Sequence, residues 1–136
     1  MSWICIVDGD PQVRDVLTDA LRSAGHGVRA FGDGTDALDA IETSLEKPRL
    51  VILEALLPGL AARQVLRRIR EGRHAPEVPV VVITSADVDE RYFAPWSILR
   101  LMRKPIAIDA LLETVADALP RRRPPASGAK KGRKVP

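Results

Sequence analysis

The fold of this chain is decided by the stretch RLVILE, residues 49–54, near its middle. Four consecutive apolar residues follow an arginine and lead into a carboxylate, which is the pattern of a strand buried on both faces. A Leu-Pro-Gly turn follows at residues 57–59. We therefore predict a central strand at residues 50–53 that ends at the acid Glu54.

Apolar segments of the same kind recur on both sides of this strand and alternate with helical patterns. We predict the other strands at residues 3–7, 27–31, 78–84 and 98–102. Helices are predicted to begin after Asp10-Pro11 and after Asp33-Gly34, and to span about 61–71, 87–94 and 108–119. This alternation predicts an α/β fold of the flavodoxin-like (βα)5 type, a doubly wound five-stranded parallel sheet with helices on both faces.

Polar residues stand where four of the predicted strands end. Asp8 follows the first strand, Glu54 ends the third, Thr84 ends the fourth and Lys104 follows the fifth. In doubly wound sheets the ligand site lies outside the carboxyl ends of the strands. The pattern therefore predicts that these four side chains meet in one site.

Taken in order, the Asp8-Gly9-Asp10-Pro11 turn, Glu54 with Pro58, Thr84 and Lys104-Pro105 resemble the phosphorylation pocket of the bacterial response-regulator receiver family. The resemblance covers residues 1–119. In that family two acids after the first strand help to hold Mg²⁺, and an aspartate after the third strand takes a phosphoryl group. A Ser or Thr and a lysine then bind the phosphoryl oxygens. The family's Lys-Pro pair typically carries a cis peptide.

Three departures from the family pattern affect the phosphorylation mechanism. Glu54 replaces the phosphoacceptor aspartate and displaces the carboxylate by one C–C bond, roughly 1.5 Å. Gly9 stands where the second metal-binding acid belongs, and Asp10 beside it is expected to cap the first helix. Leu101 occupies the position of the aromatic switch residue. We expect a weak or absent Mg²⁺ site at Asp8 and Glu54, and no other cofactor.

The resulting prediction is a pseudo-receiver: a single-domain signalling protein that is not an enzyme and acts by protein–protein interaction without phosphorylation. Glu54 is interpreted in three ways: as a static ion pair with Lys104, as a built-in mimic of the phosphorylated state, or as a residual phosphoacceptor. The alternative functions are a degraded phosphoacceptor or phosphate sink, and a nucleic-acid-associated regulator. A flavodoxin-like enzyme is disfavoured, because no phosphate-cradling glycine loop follows the first strand.

Three of the chain's five aromatic residues lie close together: Tyr92, Phe93 and Trp96. They fall on the predicted fourth helix and its exit, and aromatic side chains are common anchors at interfaces. They are predicted to form a partner surface for a histidine kinase, an output protein or a second copy of the chain. The alternative is that Phe93 or Trp96 fills the core.

Charge divides the chain into two parts. Residues 120–136 contain seven of the 21 basic residues and no acid, whereas residues 1–119 contain 14 basic and 18 acidic residues, a net charge of −4. We predict a disordered tail that contacts a polyanion such as nucleic acid, an acidic protein or an anionic membrane, or that only aids solubility. No apolar run is long enough to span a membrane, and the one cysteine, Cys5, is expected to be a buried thiol. The expected location is the cytoplasm.

Overall fold

The computed structural model describes residues 2–119, so the predicted tail at 120–136 lies outside the described residues. Five parallel strands form one sheet in the order β2-β1-β3-β4-β5. They are β1 (Trp3–Val7), β2 (Val28–Phe31), β3 (Pro48–Glu54), β4 (Val80–Thr84) and β5 (Arg100–Arg103). The helices are α1 (Pro11–Ser23), α2 (Gly34–Thr43), α3 (Ala62–Glu71), a 3₁₀ helix (Glu90–Trp96) and α4 (Ile108–Ala118). The predicted fold class is confirmed.

Alternate residues of the buried strands supply two separate cores, one on each face of the sheet. Cys5 and Val7 of β1 pack with Leu53 and Val82 beneath α2, α3 and the 3₁₀ helix. Ile4 and Ile6 pack on the opposite face, beneath α1 and α4. Cys5 is fully buried, as the sequence predicted, and burial raises the pKa of its thiol to about 12. A sheet covered on both faces leaves only its strand ends open for a site.

The first helix begins and ends as its sequence predicts. Asp10 caps α1, because its side chain accepts a hydrogen bond from the backbone N–H of Gln12 at 2.9 Å, and Pro11 takes the first helical position. Gly25, with a φ of 96°, follows the helix in a conformation that favours glycine. The start of α1 at Asp10-Pro11 places the β1–α1 turn directly beside the carboxyl end of β3.

The segment predicted as a fourth helix at residues 87–94, ended by Pro95, differs in the structure. It is a 3₁₀ helix that begins at Glu90, is capped by Asp89, and contains Pro95 within its last turn. Pro95 has no backbone N–H and cannot donate at its position, and the helical segment around it is short. Because a 3₁₀ helix has about three residues per turn, neighbouring aromatic side chains point in directions that α-helical periodicity does not predict.

Arg70 of α3 fastens this segment to the rest of the domain. Its guanidinium donates hydrogen bonds to the carbonyl oxygens of Trp96 at 2.7 Å, Val78 at 2.7 Å and Pro76 at 3.1 Å. Burial lowers the pKa of this guanidinium. The carbonyls belong to the end of the 3₁₀ helix and to the entry of β4, so one side chain holds both.

Among helices of residues 2–119, none is long and apolar enough to cross a membrane.

Candidate functional site

Backbone hydrogen bonds bring the four polar strand ends together. The Asp8 amide donates to the Phe31 carbonyl at 3.0 Å, which fixes the end of β1 against β2. The Lys104 amide donates to the Thr84 carbonyl at 2.8 Å, which fixes the end of β5 against β4. Asp8, Glu54 and Thr84 are buried, and Lys104 is partly buried with its side chain 16% exposed. The four residues therefore lie at the carboxyl edge of the sheet.

Lys104 occupies the centre of this arrangement. Its Nζ lies 2.8 Å from Glu54 Oε1, in a hydrogen bond, and 2.8 Å from Asp8 Oδ2, in an ion pair. Burial by itself lowers the pKa of Lys104, but the contacts with Asp8 and Glu54 outweigh it and raise that pKa above its ordinary value. The Lys104-Pro105 peptide is cis. One ammonium group thus bridges the two acids.

The remaining oxygens of the two acids differ in their surroundings. Asp8 Oδ1 accepts from the Asp10 amide at 2.8 Å. Glu54 Oε2 is buried and has no hydrogen-bond donor among the described residues. Thr84 Oγ1 accepts from the Ala86 amide at 2.9 Å, and no hydrogen bond joins it to Glu54 within residues 2–119. Within residues 2–119, the Glu54 carboxylate therefore depends on Lys104 alone for its hydrogen bonding.

The other two residues of the acidic turn do not join this cluster. Asp10 is exposed and its carboxylate caps α1; in the described part of the chain it makes no ion pair with Lys104. Gly9 lies against the ring of Pro58, so that a Cβ added at Gly9 would be 3.1 Å from Pro58 Cδ. An acid at position 9 would require the Pro58 loop to move by a few tenths of an ångström.

Comparison with known proteins identifies the family. A family model for the response regulator receiver domain matches residues 4–116. Protein PilH of Pseudomonas aeruginosa is 28% identical over 117 residues, which are 85% of this chain and 95% of that protein. Response regulator MprA of Mycolicibacterium vanbaalenii is 34% identical over 128 residues, 93% of this chain and 53% of that protein. The chain belongs to the response regulator receiver domain family.

The solved structure of the chemotaxis response regulator CheY4 of Vibrio cholerae has the same fold, with a TM-score of 0.79 at 19% identity over 88% of this chain and 99% of that one. The chain spans about a third to a half of the length of several curated relatives it matches. Receiver domains belong to two-component signalling, in which they interact with kinases or output proteins. Family membership shows that this chain has a receiver domain of the two-component signalling type.

The Mg²⁺ ion that the family implies does not fit the donor set of this site. Mg²⁺ requires near-octahedral oxygen coordination, but Asp8 and Glu54 each already contact Lys104 through one oxygen. The neighbouring position, Gly9, offers no side-chain oxygen, and no group of three potential metal-binding side chains occurs within residues 2–119. The ammonium group of Lys104 lies between the two carboxylates that would have to hold the metal.

The three predicted partner-surface aromatics have three different environments. Phe93 is only 2% exposed and packs in the core beneath α2 and α3, so its assignment to the partner surface was wrong. Trp96 is half-buried and packs against the same core. Tyr92 is 50% exposed, stacks edge-on against Phe93 and accepts a hydrogen bond from Arg63 at 3.3 Å. Of the three, Tyr92 is the one with half of its surface open to an external partner.

Leu101, at the predicted switch position, is half-buried and packs against the same core. Its backbone amide donates to the side chain of Glu90 at 3.1 Å, which ties β5 to the start of the 3₁₀ helix. Sequence reasoning missed this tie and the carbonyl contacts of Arg70. The available signal was the repeated arginine in α3 at positions 63, 67, 68 and 70, to which no contact was assigned.

Proposed function

We propose that this protein is a single-domain receiver that signals by binding a protein partner and is not switched by phosphorylation. The observation that carries the proposal is the Lys104 bridge, with Nζ 2.8 Å from both Asp8 Oδ2 and Glu54 Oε1. In-line phosphoryl transfer depends on a correctly placed nucleophile and a metal that neutralises developing charge. Here the nucleophile position holds a longer, lysine-paired acid.

The surroundings of the bridge support the same conclusion. Pro58 packs where a second metal-binding acid would have to project, and Leu101 offers no aromatic ring for a rotation that reports phosphorylation. The contact between Glu54 and Lys104 also favours the ion-pair interpretation of Glu54. The pocket then works as a fixed internal support for the strand ends, and Mg²⁺ binding is weak or absent.

The partner is a protein, either a histidine kinase or an output protein in the cytoplasm. Tyr92 lies on the exposed face beside α3, on an element whose inner residues are fixed by the core and by Arg70. A rigid, preformed surface suits an adaptor, because binding then costs little ordering of the protein itself.

Intact-mass spectrometry after incubation with acetyl phosphate and Mg²⁺ tests the proposal. We expect no phosphoryl adduct on the wild-type chain, while a receiver that keeps its aspartate, treated in parallel, becomes modified. A stoichiometric adduct that disappears in Glu54→Gln would establish a working phosphoacceptor or phosphate sink instead. An adduct that persists in Glu54→Gln would locate phosphorylation elsewhere and leave the pocket assignment intact.

A further inference from the structure

Two arginines of α3 and the exposed tyrosine of the 3₁₀ helix form one continuous surface, which we name the basic-aromatic face: Arg63, Arg67 and Tyr92. Arg63 Nη1 lies 3.3 Å from the Tyr92 hydroxyl, and Arg70 Nε lies 2.7 Å from the Trp96 carbonyl. Positions 63, 67 and 70 share one side of an α-helix. Arg63 and Arg70 both contact the 3₁₀ helix, and Arg67 lies between them on the same side of α3.

The positive charge of this face is not used by the fold. Arg63 makes no ion pair within residues 2–119, and its only hydrogen bond there is to a neutral hydroxyl. Arg67 meets Glu71 at 3.5 Å, but the two side chains are 66% and 70% exposed, and such a pair contributes little to stability. Arg70 differs, because its guanidinium already donates hydrogen bonds to backbone carbonyl oxygens. Arg63 and Arg67 therefore remain available to an external anion.

The size and composition of the face fit a short acidic protein segment. Arg63 and Arg67 are separated by about 6 Å along the helix axis, one turn, which matches two carboxylates one turn apart on a partner helix. Tyr92 supplies half-exposed aromatic area beside Arg63, and tyrosine and arginine are among the residues that dominate binding energy at interfaces.

A nucleic acid fits this face less well. A phosphate backbone would continue past the two arginines and meet Glu71 and Asp89, which are held only in exposed surface pairs with Arg67 and Arg91. The chain up to residue 119 carries 14 basic and 18 acidic residues, so the field away from the face repels a long polyanion. A segment with a few carboxylates avoids both costs.

We propose that the basic-aromatic face binds an acidic helical segment of a partner protein, with Tyr92 as the anchor and with Arg63 and Arg67 pairing to its carboxylates. The inference rests on the proposed function, since it names the class of partner through which such a receiver signals. It assigns the contact to α3 and the outer side of the 3₁₀ helix and not to Phe93.

Tyr92 is the only tyrosine in the chain, so fluorotyrosine incorporation gives a single ¹⁹F resonance located in the face. The probe is a designed helical peptide with glutamates one turn apart beside leucines, and its control carries glutamine at each glutamate. We expect a saturable shift with the acidic peptide and none with the control peptide. Binding confined to the basic residues 121–134 would leave the resonance unmoved and would overturn the proposal.

The double variant Arg63→Gln/Arg67→Gln should bind the acidic peptide about tenfold more weakly, as two partly solvated charge pairs predict. The matched control is Arg49→Gln, an exposed arginine at the amino end of the central strand β3, which should leave affinity unchanged. Equal weakening by both variants, or a larger shift with a duplex oligonucleotide, would refute the acidic-segment assignment. Phosphorylation is measured separately by mass, so failure here and failure of the proposed function are distinguishable.

Discussion

Lys104 Nζ lies 2.8 Å from Oε1 of Glu54, a residue fifty positions earlier in the chain. The contact joins the end of β5 to the end of β3 across the intervening strand β4. Lys104 Nζ lies at the same distance from Asp8 Oδ2. The positive charge of the lysine therefore offsets the negative charges of two buried acids at this edge of the sheet. The consequences of this bridge for stability and for metal binding are directly measurable.

Replacing Lys104 with methionine should destabilise the protein by about 3–5 kcal/mol, because it leaves two buried carboxyl groups without their counter-ion. Urea unfolding at pH 7 measures this change. The control Arg49→Met removes an exposed cation and should change the free energy of unfolding by less than about 0.5 kcal/mol. A loss below about 1 kcal/mol for Lys104→Met would show that the bridge contributes little.

Lys104→Met also tests how the stability of the protein depends on pH. The folded-state pKa of Lys104 is raised above its ordinary value of 10.5, so its contribution to stability is complete below that value and is lost as pH rises through the folded pKa. The wild-type chain should therefore lose stability above about pH 10.5 more steeply than Lys104→Met. Both chains keep Cys5, so its titration cancels in the comparison.

Restoring two acids should create a working Mg²⁺ site at the carboxyl edge of the sheet. In Gly9→Asp/Glu54→Asp, we expect Mg²⁺ to raise the free energy of unfolding by about 1.4 kcal/mol at ten times its dissociation constant, against almost no change for the wild type. Without metal the double variant should be about 1–3 kcal/mol less stable, because the new Cβ at position 9 meets Pro58 at 3.1 Å.

Adding Pro58→Ala supplies the control for that crowding. It should recover part of the stability lost without metal and leave the Mg²⁺ response in place. If Mg²⁺ stabilised the wild-type chain as strongly as the double variant, the idea that Lys104 and Gly9 exclude the metal would fail.

The sheet and the meeting of Asp8, Glu54 and Lys104 were predictable because each depends on short-range pattern. Apolar runs identify buried strands, and parallel strands bring their carboxyl ends to one edge. The packing of Pro58 on Gly9 was not predictable, since it depends on the path of a loop. The sequence left open whether Phe93 lies on the partner surface or in the core, because helical periodicity is a poor guide in a 3₁₀ helix that contains Pro95.

The neighbours Tyr92 and Phe93 therefore make a matched pair of variants. Phe93→Ala should cost about 3–5 kcal/mol, since it empties a core position that is 2% exposed. Tyr92→Ala should cost about 1 kcal/mol or less, because half of its side chain already lies in solvent and its hydroxyl bond to Arg63 is long. Urea unfolding of both variants checks the difference, and similar losses would place Tyr92 in the core as well.

The basic residues between 121 and 134 should dominate any binding to nucleic acid, because residues 1–119 carry a net charge of −4 and repel it. If about five of the seven cations contact phosphates, log affinity for duplex DNA should fall with log salt with a slope of about −4.5. Fluorescence anisotropy over a salt series measures the slope. Replacing all seven cations with glutamine should abolish binding, whereas Arg63→Gln/Arg67→Gln should leave the slope unchanged. No binding by the full chain at low salt, or equal binding after the seven replacements, would eliminate a nucleic-acid role for this segment and leave contact with an acidic protein or a solubilising role.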